Sequence, residues 1–275
     1  MSTRIVLLAD VHLGVAETQF PHQDLTHAPD LLRRAVGLIQ PLEPDIVIVV
    51  GDLANMGTAA EYEIAREILQ PLAGMIELLI GNHELLKGTI PFWRDTWKQA
   101  PYRRGEIAGL PVVFLSSGLE HLPPTQWRGA LDDAQHGFLA EASDSHPDQP
   151  LLVFCHHPLS NTVRRSDQPM FGLDDTASVK QILTQHRQPV VLFSGHTHYQ
   201  SVVQVENITC ITTPPLCFWP HGFLVVDIRD KQLQWTTIRL FELFQQSPDT
   251  RAVDPEYRAR AEGTLTDQSG RIVLA

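Results

Sequence analysis

Five short, almost wholly apolar runs punctuate this chain, and each stops abruptly at residues able to bind a metal. The runs are Ile5–Ala9, Ile46–Val50, Met75–Ile80, Leu151–Phe154 and Val190–Phe193. Runs this short and this rich in β-branched residues suit strands buried on both faces of a sheet. Between them, Leu31–Leu38 and Ala59–Leu72 carry helical spacing, the second with Ile64, Ile68 and Leu72 on one face. Such alternation predicts α/β layering.

Further on, Val202–Val205, Ile208–Thr212, Phe223–Asp227 and Leu233–Ile238 are β-rich runs separated by Glu206-Asn207 and Arg229-Asp230-Lys231, the pattern of antiparallel meanders. From about Ser247 the chain is polar and charged, with little periodicity, and could wrap the domain, meet a partner or stay mobile. A length of 275 residues with 43% hydrophobic content suits one large core. The expected division is a domain over residues 1–246 and a C-terminal tail over 247–275.

Composition narrows the function classes. A formal charge of −11 argues against gripping long nucleic acid, which needs Lys and Arg to release counterions. No apolar run reaches about 18 residues, so no membrane span is expected. The start of the chain has a short apolar run without the longer stretch and cleavage site of a secretory signal, which favours a buried first strand. Cys155, Cys210 and Cys217 are too few and too irregular for a disulfide framework, and the expected location is cytoplasmic. The 13 His residues are more informative, because neutral imidazole is the commonest metal ligand.

The strand ends carry Asp10-Val11-His12, Gly51-Asp52, Gly81-Asn82-His83-Glu84, His156-His157-Pro158 and Gly195-His196-Thr197-His198. Strand ends are where α/β folds place ligand sites. Alternate residues of an extended segment point the same way, so Asp10 and His12 can approach one ion together. The same two-residue step lets His196 and His198 straddle a pair of ions, with Asp52 placed to bridge them. Each element has an ordinary reading as well: a turn, a cap or an exposed strand end. Burying so many imidazoles and carboxylates together without a metal would be costly.

Taken in order, D-x-H, G-D, G-N-H-E, H-H-P and G-H-T-H resemble the signature of the calcineurin-like metallophosphoesterase superfamily, over Asp10 to His198. The chain is most similar to its branch of class III cyclic nucleotide phosphodiesterases and glycerophosphodiesterases. The resemblance implies a two-sheet mixed β sandwich flanked by helices in four layers, with the stretch to about Ile238 continuing the second sheet. It implies that Asp10, His12 and His198 hold a first metal, that Asp52 bridges, and that Asn82, His156 and His196 complete a second. His83 would lie beside the metals as the catalytic residue that protonates the leaving group or stabilises phosphate charge. His156 is the ligand because the pattern puts the binding His two residues before the proline. His157 would then line the substrate pocket or orient the turn. Asn55 stands where that branch often has Asp, and Glu84 where Asp is commoner.

The implied activity is hydrolysis of a small phosphodiester, a cyclic nucleotide or a glycerophosphodiester, by a hydroxide bridging two divalent or trivalent metal ions. Donors without thiolate suit manganese, iron, zinc or cobalt, and the resemblance implies that iron or manganese is favoured. A phosphomonoesterase or nucleotidase, a nuclease of the same superfamily, and a catalytically silent binding protein are the competing readings. Relatives use the second sheet for dimer contacts, so a homodimer is an expectation. Trp93 and Trp97, at helical spacing, read as core in preference to a base-stacking platform. Arg103-Arg104 and Arg164-Arg165 are candidate contacts for further phosphates, although as solvated charges they would contribute little.

Overall fold

The structure is a computed structural model, described over residues 2–14, 25–123, 125–240 and 247–274. In chain order its elements are β1 (Thr3–Leu8), α1 (Ala28–Ile39), β2 (Ile46–Val49), α2 (Ala59–Leu69), β3 (Ile76–Leu78), α3 (Ile90–Trp97), β4 (Arg103–Ile107) and β5 (Leu110–Phe114). They continue with α4 (Asp133–Ser145), β6 (Leu151–Phe154), α5 (Thr176–Gln185), β7 (Val190–Ser194), β8 (Ser201–Val205) and β9 (Ile208–Thr212). The last are β10 (Gly222–Arg229), β11 (Gln232–Arg239), α6 (Pro255–Glu262), α7 (Leu265–Gln268) and β12 (Ser269–Val273).

Two six-stranded mixed sheets result, ordered β12-β11-β10-β1-β2-β3 and β4-β5-β6-β7-β9-β8. Each has a parallel block, β1-β2-β3 at one side of the first sheet and β5-β6-β7-β9 in the middle of the second, with the remaining strands antiparallel. The period of two along each strand sorts its side chains into separate cores. Ile5, Leu7, Ile48, Phe154 and Phe193 face the middle of the sandwich. Val6, Leu8, Val47 and Val49 face α1 and α2, while Leu151, Val153, Val190 and Leu192 face α4 and α5. The order is therefore helices, sheet, sheet, helices, the expected four layers. Phe114, Phe154 and Phe193 stack across neighbouring strands at 5.3 and 5.0 Å, which ties the second sheet together at the middle layer.

Local chemistry sets the helix starts. Thr58 and Glu61 form a reciprocal capping box at α2, and Asp132 accepts the Gln135 amide at 2.8 Å to start α4. Trp93 is buried against the α1–α2 side, and Trp97 packs on the same cluster, as core residues should.

The late β-rich runs form two hairpins that part company. β8 and β9 extend the second sheet, whereas β10 and β11 return to the first, where β10 lies antiparallel to β1. The expected continuation of the second sheet thus holds only as far as β9. The apolar faces of β10 find their partner in β1, whose other edge is taken by β2. Residues 247–274 close over this end, with β12 pairing to β11 and Asp267 joined to Arg164 at 3.1 Å. The expected domain boundary adjoins residues 241–246, which lie outside the described residues.

Candidate metal centre

Parallel strands send their C-terminal ends to one edge, and the two sheets place those edges together. After β1 and β2, the amides of Val11 and His12 both donate to Asp52 O at 2.9 Å, so the first two loops descend side by side. The second sheet is joined across the gap: His156 Nδ1 donates to Val50 O at 2.7 Å, and the His196 amide reaches both Asp10 carboxylate oxygens at 3.1 Å.

Asp10, His12, Asp52, His196 and His198 all have φ between 48 and 68°. Left-handed backbone is uncommon for such residues, and five cases in one cluster mean that side-chain direction has been set against local preference. Two glycines make room. A Cβ on Gly51, itself at φ 84°, would collide with the His156 ring, and one on Gly81 would strike the Asp52 carboxylate.

The result is a buried chain of donors. His12 Nε2 lies 3.3 Å from His198 Nε2 and 3.9 Å from Asp10 Oδ1, while His198 Nε2 lies 3.3 Å from the same oxygen. Asp52 Oδ2 is 3.8 Å from His12 Nε2 and 3.1 Å from His156 Nε2. Three groups have ligand atoms within 4.8 Å of one another: Asp10, His12 and His198; His12, Asp52 and His83; and Asp52, His156 and His196. Asp52 therefore stands between the two outer sets. Asn82 is buried beside them, and its Oδ1 finds no hydrogen-bond partner among the described residues, as suits an atom shaped to meet a cation.

Hydrogen bonds orient the imidazoles. His156 gives its Nδ1 proton to Val50 and so presents Nε2; His196 donates Nε2–H to Met170 O at 2.9 Å and so presents Nδ1. Burial, together with neighbouring positive groups, holds His12, His196 and His198 well below the usual imidazole range, in the neutral form that binds metals. Burial raises Asp10 to about 6. Burial also acts to raise Asp52, but His156 and its neighbours outweigh that and hold the carboxylate well below its ordinary value.

His83 donates Nδ1–H to Asn55 O at 2.7 Å, with its ring centroid 4.5 Å from that of His12. It thus sits against the cluster. His157 has both ring nitrogens engaged, donating to Trp127 O at 3.0 Å and meeting Ser117 Oγ at 2.8 Å, so its contacts are those of a turn-orienting residue.

Glu84 has a larger structural part than its sequence position suggested. Its buried carboxylate accepts the amides of Asp52 at 2.9 Å, Ala54 at 2.9 Å and Gly81 at 2.7 Å, which locks the second and third ligand loops together. No pattern in the sequence signals this, because two of the three donors are backbone groups of a loop about thirty positions away. Phe218 stacks on His198 at 4.2 Å.

The Calcineurin-like phosphoesterase family model matches residues 3–200. A probable cyclic nucleotide phosphodiesterase of Rhodopseudomonas palustris is 28% identical over 200 residues, covering 71% of each chain. A glycerophosphodiester phosphodiesterase of Enterobacter lignolyticus is 26% identical over 178 residues, covering 62% of each. A dimetal phosphatase from Danio rerio shares the fold, with a TM-score of 0.74 at 16% identity over 86% of this chain and 95% of that one. A family match over most of the chain, on a fold that gathers the matched strand ends into one buried cluster, shows that this protein belongs to the calcineurin-like phosphoesterases.

Proposed function

We propose that this phosphoesterase hydrolyses a small phosphodiester, of the cyclic nucleotide or glycerophosphodiester kind, at a centre of two metal ions. The observation that carries the reading is the position of Asp52 Oδ2, in reach of His12 on one side and His156 on the other, so that one carboxylate can serve two adjoining sets of ligands. Asp10, His12 and His198 would hold one ion, and Asn82, His156 and His196 the other, with Asp52 common to both. The names of the relatives support the diester, and the acidic chain supports a small substrate over long nucleic acid.

Metal ions bound there would neutralise charge on the phosphate oxygens and lower the pKa of a water between them, making hydroxide available near neutrality. The protein supplies the rest. Imidazoles fixed by outer hydrogen bonds keep their direction during the reaction, which stabilises the transition state without reorganisation. His83, oriented through Asn55, hands a proton to the leaving oxygen from Nε2 or stabilises the phosphate charge there. His157 holds the turn before Pro158. The donor set of imidazole, carboxylate and amide without thiolate suits manganese, iron, zinc or cobalt, and the family resemblance favours iron or manganese among them.

The same proposal takes residues 1–246 as the catalytic domain and 247–275 as a tail clasped to it. It also includes a homodimer, for which the exposed Leu265 (82%) and Val273 (61%) near edge strand β12 offer apolar surface. A sedimentation mass of one 30.8 kDa chain would rule that out. A cytoplasmic location is in keeping with three buried free cysteines.

The test is hydrolysis of bis-p-nitrophenyl phosphate and p-nitrophenyl phosphate by metal-stripped protein with manganese restored. Diester cleavage that needs metal and falls about 100-fold or more in Asn82→Ala, beyond the usual loss of an outer partner, supports the proposal. A monoester preference would shift the reading to a phosphatase or nucleotidase, and inactivity with manganese, iron, zinc and cobalt alike would favour a binding protein.

A further inference from the structure

Of the four arginines in the pairs Arg103-Arg104 and Arg164-Arg165, three are spent on carboxylates. Arg103 is joined to Glu77, Arg104 to Glu141 at 2.8 Å, and Arg164 to Asp267 at 3.1 Å. Arg165 has no carboxylate partner among the described residues. Its Nη1 donates to Thr197 O at 2.9 Å, on the residue that separates His196 from His198. Its guanidinium lies 3.9 Å from the ring of Phe171 and 5.0 Å from that of Tyr199. The Phe171 ring is in turn 5.6 Å from His196. The cation therefore stands at the edge of the candidate centre.

The backbone is shaped to hold it there. Arg165 has φ 68°, in a turn pinned by Ser166, whose Oγ accepts the amides of Thr162 at 3.0 Å and Val163 at 3.1 Å. A non-glycine residue kept left-handed beside a functional site is a strained placement that its surroundings impose. Contrast Arg251, which approaches the same side through Phe218 at 5.1 Å: its Nε and Nη2 each donate to an Asp249 oxygen at 2.9 Å, which offsets its charge. A guanidinium cannot be neutralised by losing its proton, so a half-buried one without a counter-ion calls for an anion.

We propose that Arg165 is a substrate-binding residue of this site, gripping an anionic oxygen of the phosphate ester on the side framed by His196 and His198. The idea rests on the phosphoesterase reading for the nature of the anion. That oxygen belongs either to the reacting phosphate or to a second anionic group of the substrate, and the flat fork of the guanidinium suits both. The aromatic faces of Phe171 and Tyr199 are covered by the cation, so this wall selects for negative charge over a neutral ring.

The experiment is calorimetric titration of metal-loaded wild type, Arg165→Met and Arg165→Lys with inorganic phosphate and with pyrophosphate, beside Michaelis kinetics on bis-p-nitrophenyl phosphate and metal analysis. Methionine keeps the length and the apolar packing without the charge. Loss of the charge-assisted contact should weaken anion binding about tenfold or more in Arg165→Met, at unchanged metal content, with partial rescue in Arg165→Lys. A parallel rise in KM, with kcat less affected, and weaker phosphate binding would identify the reacting phosphate. A loss confined to pyrophosphate would identify a second anionic group. Affinities for both anions within about twofold of wild type, or loss of metal together with binding, would overturn the inference and make Arg165 a support for the Thr197 loop. Phosphate binding that depends on Arg165 in an enzyme inactive on diesters would leave the inference standing and sink the phosphodiester reading.

Discussion

Left-handed backbone at Asp10, His12, Asp52, His196 and His198 stores about 1–3 kcal/mol at each residue, and something must hold it. Glu84 is one such holder. Replacing it with Gln leaves one oxygen and an amino group facing three backbone N–H donors, so at least one buried amide loses its acceptor. Each such loss is worth about 1–3 kcal/mol. Glu84→Gln should therefore lower stability in urea melts by about 2 kcal/mol and weaken metal retention, since the Asp52 and Gly81 loops separate. Unchanged melts and metal content would show that the clamp is dispensable. The cysteines provide a second residue-level test. Burial pushes the Cys155 thiol up to about 12 and Cys210 to about 11, and Cys217 is buried as well. With almost no thiolate at neutral pH, a disulfide-exchange reagent should label none of the three until the protein is unfolded. Rapid labelling of Cys155 in the native state would revive it as a reactive group beside His156.

At the scale of elements, the loops after the strands are as exacting as the strands themselves. Gly51→Ala places a methyl where the His156 ring packs and asks alanine to adopt φ 84°. We expect the fold to persist, because the sheets are unaffected, but metal binding to fall about tenfold or more, as when a ligand loses its orientation. Normal metal affinity in Gly51→Ala would mean that His156 can move aside. The C-terminal elements add their own dependence on acid. His221, buried under residues 247–249 and meeting Ser247 Oγ at 2.7 Å, is lowered by burial from 6.5 to about 4. Between these values the unfolded chain takes up a proton that the folded chain refuses. Stability attached to His221 is thus complete above pH 6.5 and declines as pH falls towards 4. The stability advantage of wild type over His221→Asn should narrow across that interval, and a constant gap would contradict a neutral buried ring.

For the whole molecule, the candidate ligands come from the strand ends of both sheets, so a metal bound there would join the halves of the sandwich. Ligand bound only by the folded state at 100-fold excess over its Kd stabilises by about 2.7 kcal/mol. Chelation followed by dialysis should then lower Tm by roughly 5–10 °C in a chain of this size, reversed by manganese. An unchanged Tm would indicate that the two sheets hold their edges together without help. Among the described residues no helix is long and apolar enough to cross a membrane.

Periodicity along the chain determined β1, β2, β3, β6 and β7, α1, α2 and the residue types at the strand ends, because short apolar runs leave a local signature that neighbours in sequence share. The order of the candidate ligands was legible for the same reason: each follows its own apolar run. The edge strands β4 and β12 were not. β4 carries Arg103 and Arg104, and β12 is half polar, so their pairing depends on partners that sequence separation conceals. The tertiary structure alone decided that β10 and β11 return to β1, because strand pairing is chosen by which edge remains open. It alone also decided which cations are spent and which remain: Arg164 and Arg165 are adjacent and alike in sequence, yet one meets Asp267 and the other is held beside His196 and His198. Charge neutralisation falls steeply with distance, and distance between remote residues exists only once the chain has folded.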